Sequence, residues 1–167
     1  TLLEKYVSNI WSYIVEEKFG KTLDCYLEEH NDAFSEKTTI QIGLQLVEIL
    51  QEVHECGYIQ NDLKPDNILV GDHDNKSLHK LRLIDFGISR KYQDDNGQHI
   101  KQVKETLFKG NLIFASVNAL NYDTLSRRDD LISLCYVLVY LMDYDLPFMR
   151  IWGSNNSREI FEKIKVM

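Results

Sequence analysis

Cysteine is scarce in this chain and basic residues are outnumbered by acidic ones, and each of these features removes a class of function. Its 167 residues hold three cysteines, Cys25, Cys56 and Cys135, far apart and in no CxxC or Cys/His spacing, so neither a zinc site nor a disulfide framework is expected. They read as reduced thiols of a cytoplasmic protein, with the nucleus or a cytosolic assembly as further locations. Lysine and arginine total 19 against 26 acids, a net charge of −7. Such a surface repels phosphate backbones and anionic lipid on average, so neither nucleic acid nor membrane is expected as a partner. Long apolar runs are missing as well: the most apolar segment, Leu131 to Met142, falls short of the about 20 residues that cross a bilayer. Apolar on every side, it reads as a deeply buried helix. The opening residues lack a basic region followed by an apolar stretch, so no secretory signal is read. They begin on Thr1 instead of Met, as a piece or processed product of a longer protein would.

What is present, 44% hydrophobic and 27% charged residues, fits one globular domain or a large part of one. Ser12 to Val15 reads as a strand running into a turn at Glu16 to Gly20, and Thr22 to Glu29 as a short helix. Ser35 followed by Glu36 opens a longer helix, because a hydroxyl caps free amides and an early carboxylate suits the helix dipole. Its core stripe is expected at Ile40, Leu44, Val47, Leu50 or Gln51, and Val53 or His54, with Gly57 stopping it. Tyr58-Ile59 follows that helix, and Ile68 to Val70 and Leu81 to Ile84 are short apolar runs read as two strands, the second ending in Asp85-Phe86-Gly87. Residues 92–110 read as a long polar loop. A buried helix starts after Ser126, and the amphipathic tail from Ser157 to Val166 suggests one more. There is no internal repeat.

The chemistry is concentrated in Asp62-Leu63-Lys64-Pro65-Asp66-Asn67, followed eighteen residues after Asn67 by Asp85-Phe86-Gly87. Either half alone is a common turn. In this order, behind a helix and between two strands, the pair offers a carboxylate base, a cation and oxygen ligands for a metal, which is what phosphoryl transfer requires.

These elements resemble the catalytic loop and metal-binding loop of eukaryotic protein kinases. Arg90-Lys91-Tyr92, Gln98-His99-Ile100, Ala115-Ser116-Val117-Asn118 in place of A-P-E, and Ser126-Arg127-Arg128-Asp129-Asp130-Leu131 resemble the casein kinase I family of Ser/Thr kinases. The resemblance runs from about Tyr13 to the end of the chain. It implies an α+β protein-kinase-like fold: residues 1–17 as the end of the N-lobe sheet and the hinge approach, and 18–167 as a mostly α-helical C-lobe with short β-hairpins, incomplete at its C-terminus. It implies ATP and Mg²⁺ as cofactors and proteins as substrates. Asp62 would be the catalytic base, Lys64 would steady the γ-phosphate, and Asn67 with Asp85 would hold Mg²⁺. Leu69 would pack beneath adenine, Glu17 and Phe19 would offer backbone groups to its edge, and Asp130 would anchor the catalytic-loop backbone.

The pattern departs from the family in several places. Gln60-Asn61 replaces His-Arg, so Gln60 needs a hydrogen-bond partner where a His packs, and Asn61 cannot pair an activation-loop phosphate as Arg does. Asn111 stands where a Thr bridges the catalytic Asp and Lys. Ile113 stands where an Arg helps bind substrate phosphate, and Trp152 falls near a Lys that shares this role. A Gly-rich loop, a strand Lys and its Glu partner are not found, so the N-lobe is expected to be largely absent from this chain. Two readings follow: a Ser/Thr kinase of casein kinase I type, and a non-catalytic pseudokinase serving as a scaffold or interaction module. A small-molecule kinase is disfavoured by the stretch from Ala115 to Asp130.

Overall fold

The computed structural model describes residues 2–8, 11–30, 33–71, 79–147 and 149. Strands β1 (Leu2–Val7) and β2 (Ser12–Glu16) pair antiparallel with Tyr6 opposite Tyr13. That hairpin is exposed along β2, and it is braced by stacked aromatics, the Tyr6 and Tyr13 rings 5.3 Å apart and Trp11 5.6 Å from Tyr13. Helix α1 (Leu23–His30) follows, burying Leu23 and Leu27.

Helix α2 (Glu36–Glu55) begins where Ser35 accepts the Thr38 amide at 3.2 Å, and it stops at Gly57, whose φ of 84° only glycine adopts easily. The buried stripe differs from the expected one. Thr39, Ile42, Gly43, Leu46, Leu50 and His54 face inward, while Ile40, Leu44 and Val47 are exposed. Two apolar stripes overlap on this helix, and the partner selects between them. Helix α4 (Arg127–Asp143) packs across Gly43, where an added Cβ would stand 3.1 Å from Leu138. The two helices run antiparallel, since His54 at the end of α2 meets Asp130 at the start of α4. Phe34, just before α2, donates its amide to Leu141 near the other end of α4.

The expected complete burial of α4 is also corrected. Leu134, Val137 and Leu141 lie in the core, but Leu131, Val139 and Met142 are exposed. A helix apolar all round buries only the faces its neighbours cover. Among the described residues no helix is long and apolar enough to cross a membrane.

Strands β3 (Tyr58–Ile59), β4 (Ile68–Val70), β5 (Leu81–Leu83) and β6 (Arg90–Lys91) form two antiparallel pairs, β3 with β6 and β4 with β5. The main core joins Leu23, Leu27, Leu46, Leu50, Leu63, Ile68, Phe114 and Val137. A short helix α3 (Val117–Leu120), capped by Ser116, stands between the long segment 92–110 and α4. The helix expected over Ser157 to Val166, and Trp152, lie outside the described residues.

Candidate active site

The β4–β5 hairpin explains why two motifs eighteen residues apart share one site. Asn67 enters β4 and Asp85 leaves just beyond β5. In an antiparallel pair those ends coincide, and Ile84 donates its amide to the Asn67 carbonyl at 3.0 Å. Pro65 opens a single 3₁₀ turn, Pro65–Asn67, with its ring angle already suited to a helix start.

Three of the predicted site residues converge on one another. The Asp62 carboxylate Oδ2 lies 3.3 Å from Lys64 Nζ and accepts from Asn67 Nδ2 at 3.2 Å, while that same Nδ2 donates to the Asp62 carbonyl at 2.9 Å. Asp130 is buried and satisfied by three donors: the amides of Gln60 and Asn61, each at 2.9 Å, and His54 Nε2 at 2.8 Å. A buried carboxylate needs such partners, and this one thereby fastens the start of the 60–67 loop to the first turn of α4. Gln60 is buried and has both of its side-chain partners, the Asp62 amide and the Asp85 carbonyl.

Asp85 is exposed, has a left-handed φ of 57°, and accepts the Gly87 amide on Oδ1 at 3.1 Å. Because Asn67 Nδ2 is committed to Asp62, its amide oxygen is the atom left for a ligand. One amide oxygen and one carboxylate form a sparse, hard oxygen set, which fits Mg²⁺ sharing its remaining positions with phosphate oxygens and water.

The segment after β2 lies along β4. Gly20 donates to the Gly71 carbonyl at 3.2 Å, Val70 to the Lys21 carbonyl at 2.9 Å, and Thr22 bridges Leu69. A side chain at Gly20 would collide with the Val70 carbonyl oxygen. Leu69 is partly buried on this edge, and the Phe19 ring receives the Arg82 guanidinium at 5.8 Å. Glu17 stands exposed between β2 and Phe19.

The long segment 92–110 is held at several points. Arg90 Nη1 pairs with Glu105 at 2.7 Å, and Lys104 with Asp123 at 2.8 Å. The Asp123 carboxyl is held below its usual value, chiefly by the Lys104 ammonium. Gly110 has φ 119°, and a Cβ there would meet the Asn61 carbonyl oxygen at 2.7 Å, so the segment rests directly on the loop that leads to Asp62. Asn111 Oδ1 folds back to accept the Ile113 amide at 2.8 Å, and Ile113 packs against the core. A small cavity opens among Asn61, Asp62, Lys109, Gly110 and Asn111.

Sequence reasoning missed His54, Glu105 and Asp129. Asp129 is buried and gathers Ser116 Oγ at 2.7 Å, Asn118 Nδ2 at 2.8 Å and the Ser126 amide at 2.8 Å. Its spacing three residues after the capping Ser126 is the signal that could have singled it out. The sequence marks His54 only as a possible member of the buried stripe, and no local pattern marks Glu105.

Beside the site, burial first and then the nearby Asp66 and Glu28 raise the Asp24 carboxyl above its usual range. Burial, followed by the charge of Asp24, pushes the Tyr140 phenol up to about 12.

The family model described as the protein kinase domain matches residues 1–167. The chain is 33% identical over 156 residues to a probable serine/threonine-protein kinase of Dictyostelium discoideum, covering 93% of this chain and 31% of that protein. It is 30% identical over 152 residues to casein kinase I homolog 2 of Saccharomyces cerevisiae, covering 90% of this chain and 28% of that protein. It is 32% identical over 152 residues to casein kinase 1-like protein HD16 of Oryza sativa subsp. japonica, covering 90% and 22%. The chain thus spans less than a third of the length of each of these relatives.

Proposed function

From the premise that this chain belongs to the protein kinase domain family and is casein kinase I-like, we propose that it carries the catalytic centre of a Ser/Thr kinase that transfers the ATP γ-phosphate to protein hydroxyls. The observation that carries this reading is the convergence of Lys64 and Asn67 on the Asp62 carboxylate. Asp62 accepts the proton of an incoming hydroxyl, and its two neighbours keep the carboxylate pointed at that hydroxyl. Lys64, partly buried, places a cation beside the transferred group, where low dielectric strengthens its effect. Mg²⁺, when bound by Asn67 and Asp85, would neutralise charge on the phosphates. Leu69 would pack beneath adenine, and Glu17 and Phe19 would offer backbone groups to its edge. Residues 1–17 act as the sheet end that leads into this edge, and 18–167 as the lobe that carries the loops.

A second reading, a non-catalytic scaffold, is favoured by Asn111. Its side-chain oxygen is engaged by Ile113, so it does not bridge Asp62 and Lys64. The deciding experiment is phosphotransfer by the full natural chain with ATP and Mg²⁺, compared with Asp62→Asn. The kinase reading expects a loss of about 10²–10⁴-fold, the usual range for removing a general base. Equal rates in the two proteins, with partner binding intact in both, would favour the scaffold.

A further inference from the structure

We infer that Gln60 is a positioning residue that couples the two carboxylate loops, holding Asp62 and Asp85 in register for metal and phosphate. The inference rests on the kinase reading above and deepens it.

The side chain of Gln60 is wholly enclosed, and every polar atom of the residue is used. Its main-chain amide donates to Asp130 Oδ2 at 2.9 Å, and its carbonyl accepts from Ser89 Oγ at 3.1 Å. The carboxamide then splits its two ends between the two loops: Oε1 accepts the Asp62 amide at 2.6 Å, and Nε2 donates to the Asp85 carbonyl at 3.2 Å. The orientation is chemically determined. A flipped amide would set donor against donor at Asp62 and acceptor against acceptor at Asp85.

An apolar side chain would fill this enclosed space without needing partners, so a buried carboxamide matched at both ends is informative. The bond to Asp85 falls where it has most to do. Asp85 occupies left-handed backbone, φ 57°, a conformation that Asp tolerates better than most side-chain-bearing residues and that a fixed carbonyl helps to hold. By fixing that carbonyl, Gln60 holds the backbone of Asp85 at the end of the β4–β5 hairpin where Ile84 bonds to Asn67. By fixing the Asp62 amide, it sets the start of the turn that brings Asp62 to Lys64 and Asn67.

The test uses Gln60→Met, similar in length and apolar, in the full natural chain. Three quantities are read: hydrogen exchange of the Asp62 amide without ligand, Mg²⁺-dependent binding of a fluorescent ATP analogue, and steady-state kinetics. The expected results are exchange at least about tenfold faster, a Mg²⁺ requirement raised about five- to tenfold, and kcat lowered about thirtyfold with peptide KM within twofold, in line with lost transition-state positioning. Gln60→His, which keeps a donor for Asp85, should recover at least about a third of the lost kcat. A role in packing alone would speed exchange while leaving the Mg²⁺ requirement and kcat unchanged, and that result overturns the inference. Should Gln60→Met not fold, Gln60→Glu keeps an acceptor for Asp62 and removes the donor to Asp85, so the Mg²⁺ requirement and kcat carry the decision. A wild-type protein that binds Mg²⁺ and nucleotide but transfers no phosphate overturns the kinase reading, while the exchange and binding measurements still decide on Gln60. Absence of Mg²⁺-dependent nucleotide binding in the wild type overturns both.

Discussion

The Arg90 guanidinium meets the Glu105 carboxylate at 2.7 Å, joining β6, just beyond Asp85-Phe86-Gly87, to a segment fifteen residues further along. Glu105 is fixed from its main chain too, donating to the Tyr122 carbonyl at 2.6 Å. The pair thus ties this segment to β6 through a carboxylate of the chain itself, while Asn61 has no charge to receive a phosphate. Phosphatase treatment should leave phosphotransfer within about twofold of the untreated protein. A double-mutant cycle on Arg90→Ala and Glu105→Ala should give a coupling of about 1 kcal/mol or less, as expected of a partly exposed pair.

Substrate priming should matter little. Ile113 is packed against the core and offers no charge to a phosphate at the position where the family resemblance places an arginine. Peptides with and without a phosphoserine upstream of the target should therefore differ by less than about threefold in kcat/KM, well under one charge-assisted contact. Strong preference for the primed peptide would refute the assignment of Ile113.

Gly110→Ala should be costly out of proportion to its size. The new Cβ would stand 2.7 Å from the Asn61 carbonyl oxygen on a backbone with φ 119°. The expected destabilisation is about 1–3 kcal/mol, the usual range for an imposed backbone strain, read by denaturant unfolding. Phosphotransfer should fall further than stability, because Gly110 rests on the loop that carries Asp62.

Asp24 should make stability depend on acid in the less common direction. Its folded pKa is raised, first by burial and then by Asp66 and Glu28, so the folded chain holds this proton more tightly than the unfolded one. Its contribution is absent below the unfolded value and becomes a penalty as pH rises through the folded value. Asp24→Asn should raise Tm at neutral pH, and the gain should vanish near pH 3. Tyr140 acts alike at the alkaline end: with its phenol pushed up to about 12, stability should decline between pH 10 and 12, followed by tyrosinate absorbance.

The comparison of sequence with structure turns on the distance over which each feature is decided. Ser35 and Ser126 announce helix starts because a cap bonds to amides two or three residues away. Asp62, Lys64 and Asn67 form their cluster within six residues. The strands around them are short, but the antiparallel return of β4 and β5 follows once both are recognised.

Other features depend on contacts across the fold. On α2 the chain presents two overlapping apolar stripes, and nothing in either ranks it first; Leu138 lying over Gly43 selects the one that is buried. Asp130 reaches its loop partners across 69 and 70 residues, His54 across 76, and Gln60 reaches Asp85 across 25. The sequence by itself therefore determined the chemistry, through side chains whose order and spacing are local. Only the tertiary structure decided which helix face is buried and how Gln60 is satisfied, because burial and hydrogen-bond pairing are properties of surfaces that meet only after the chain has folded.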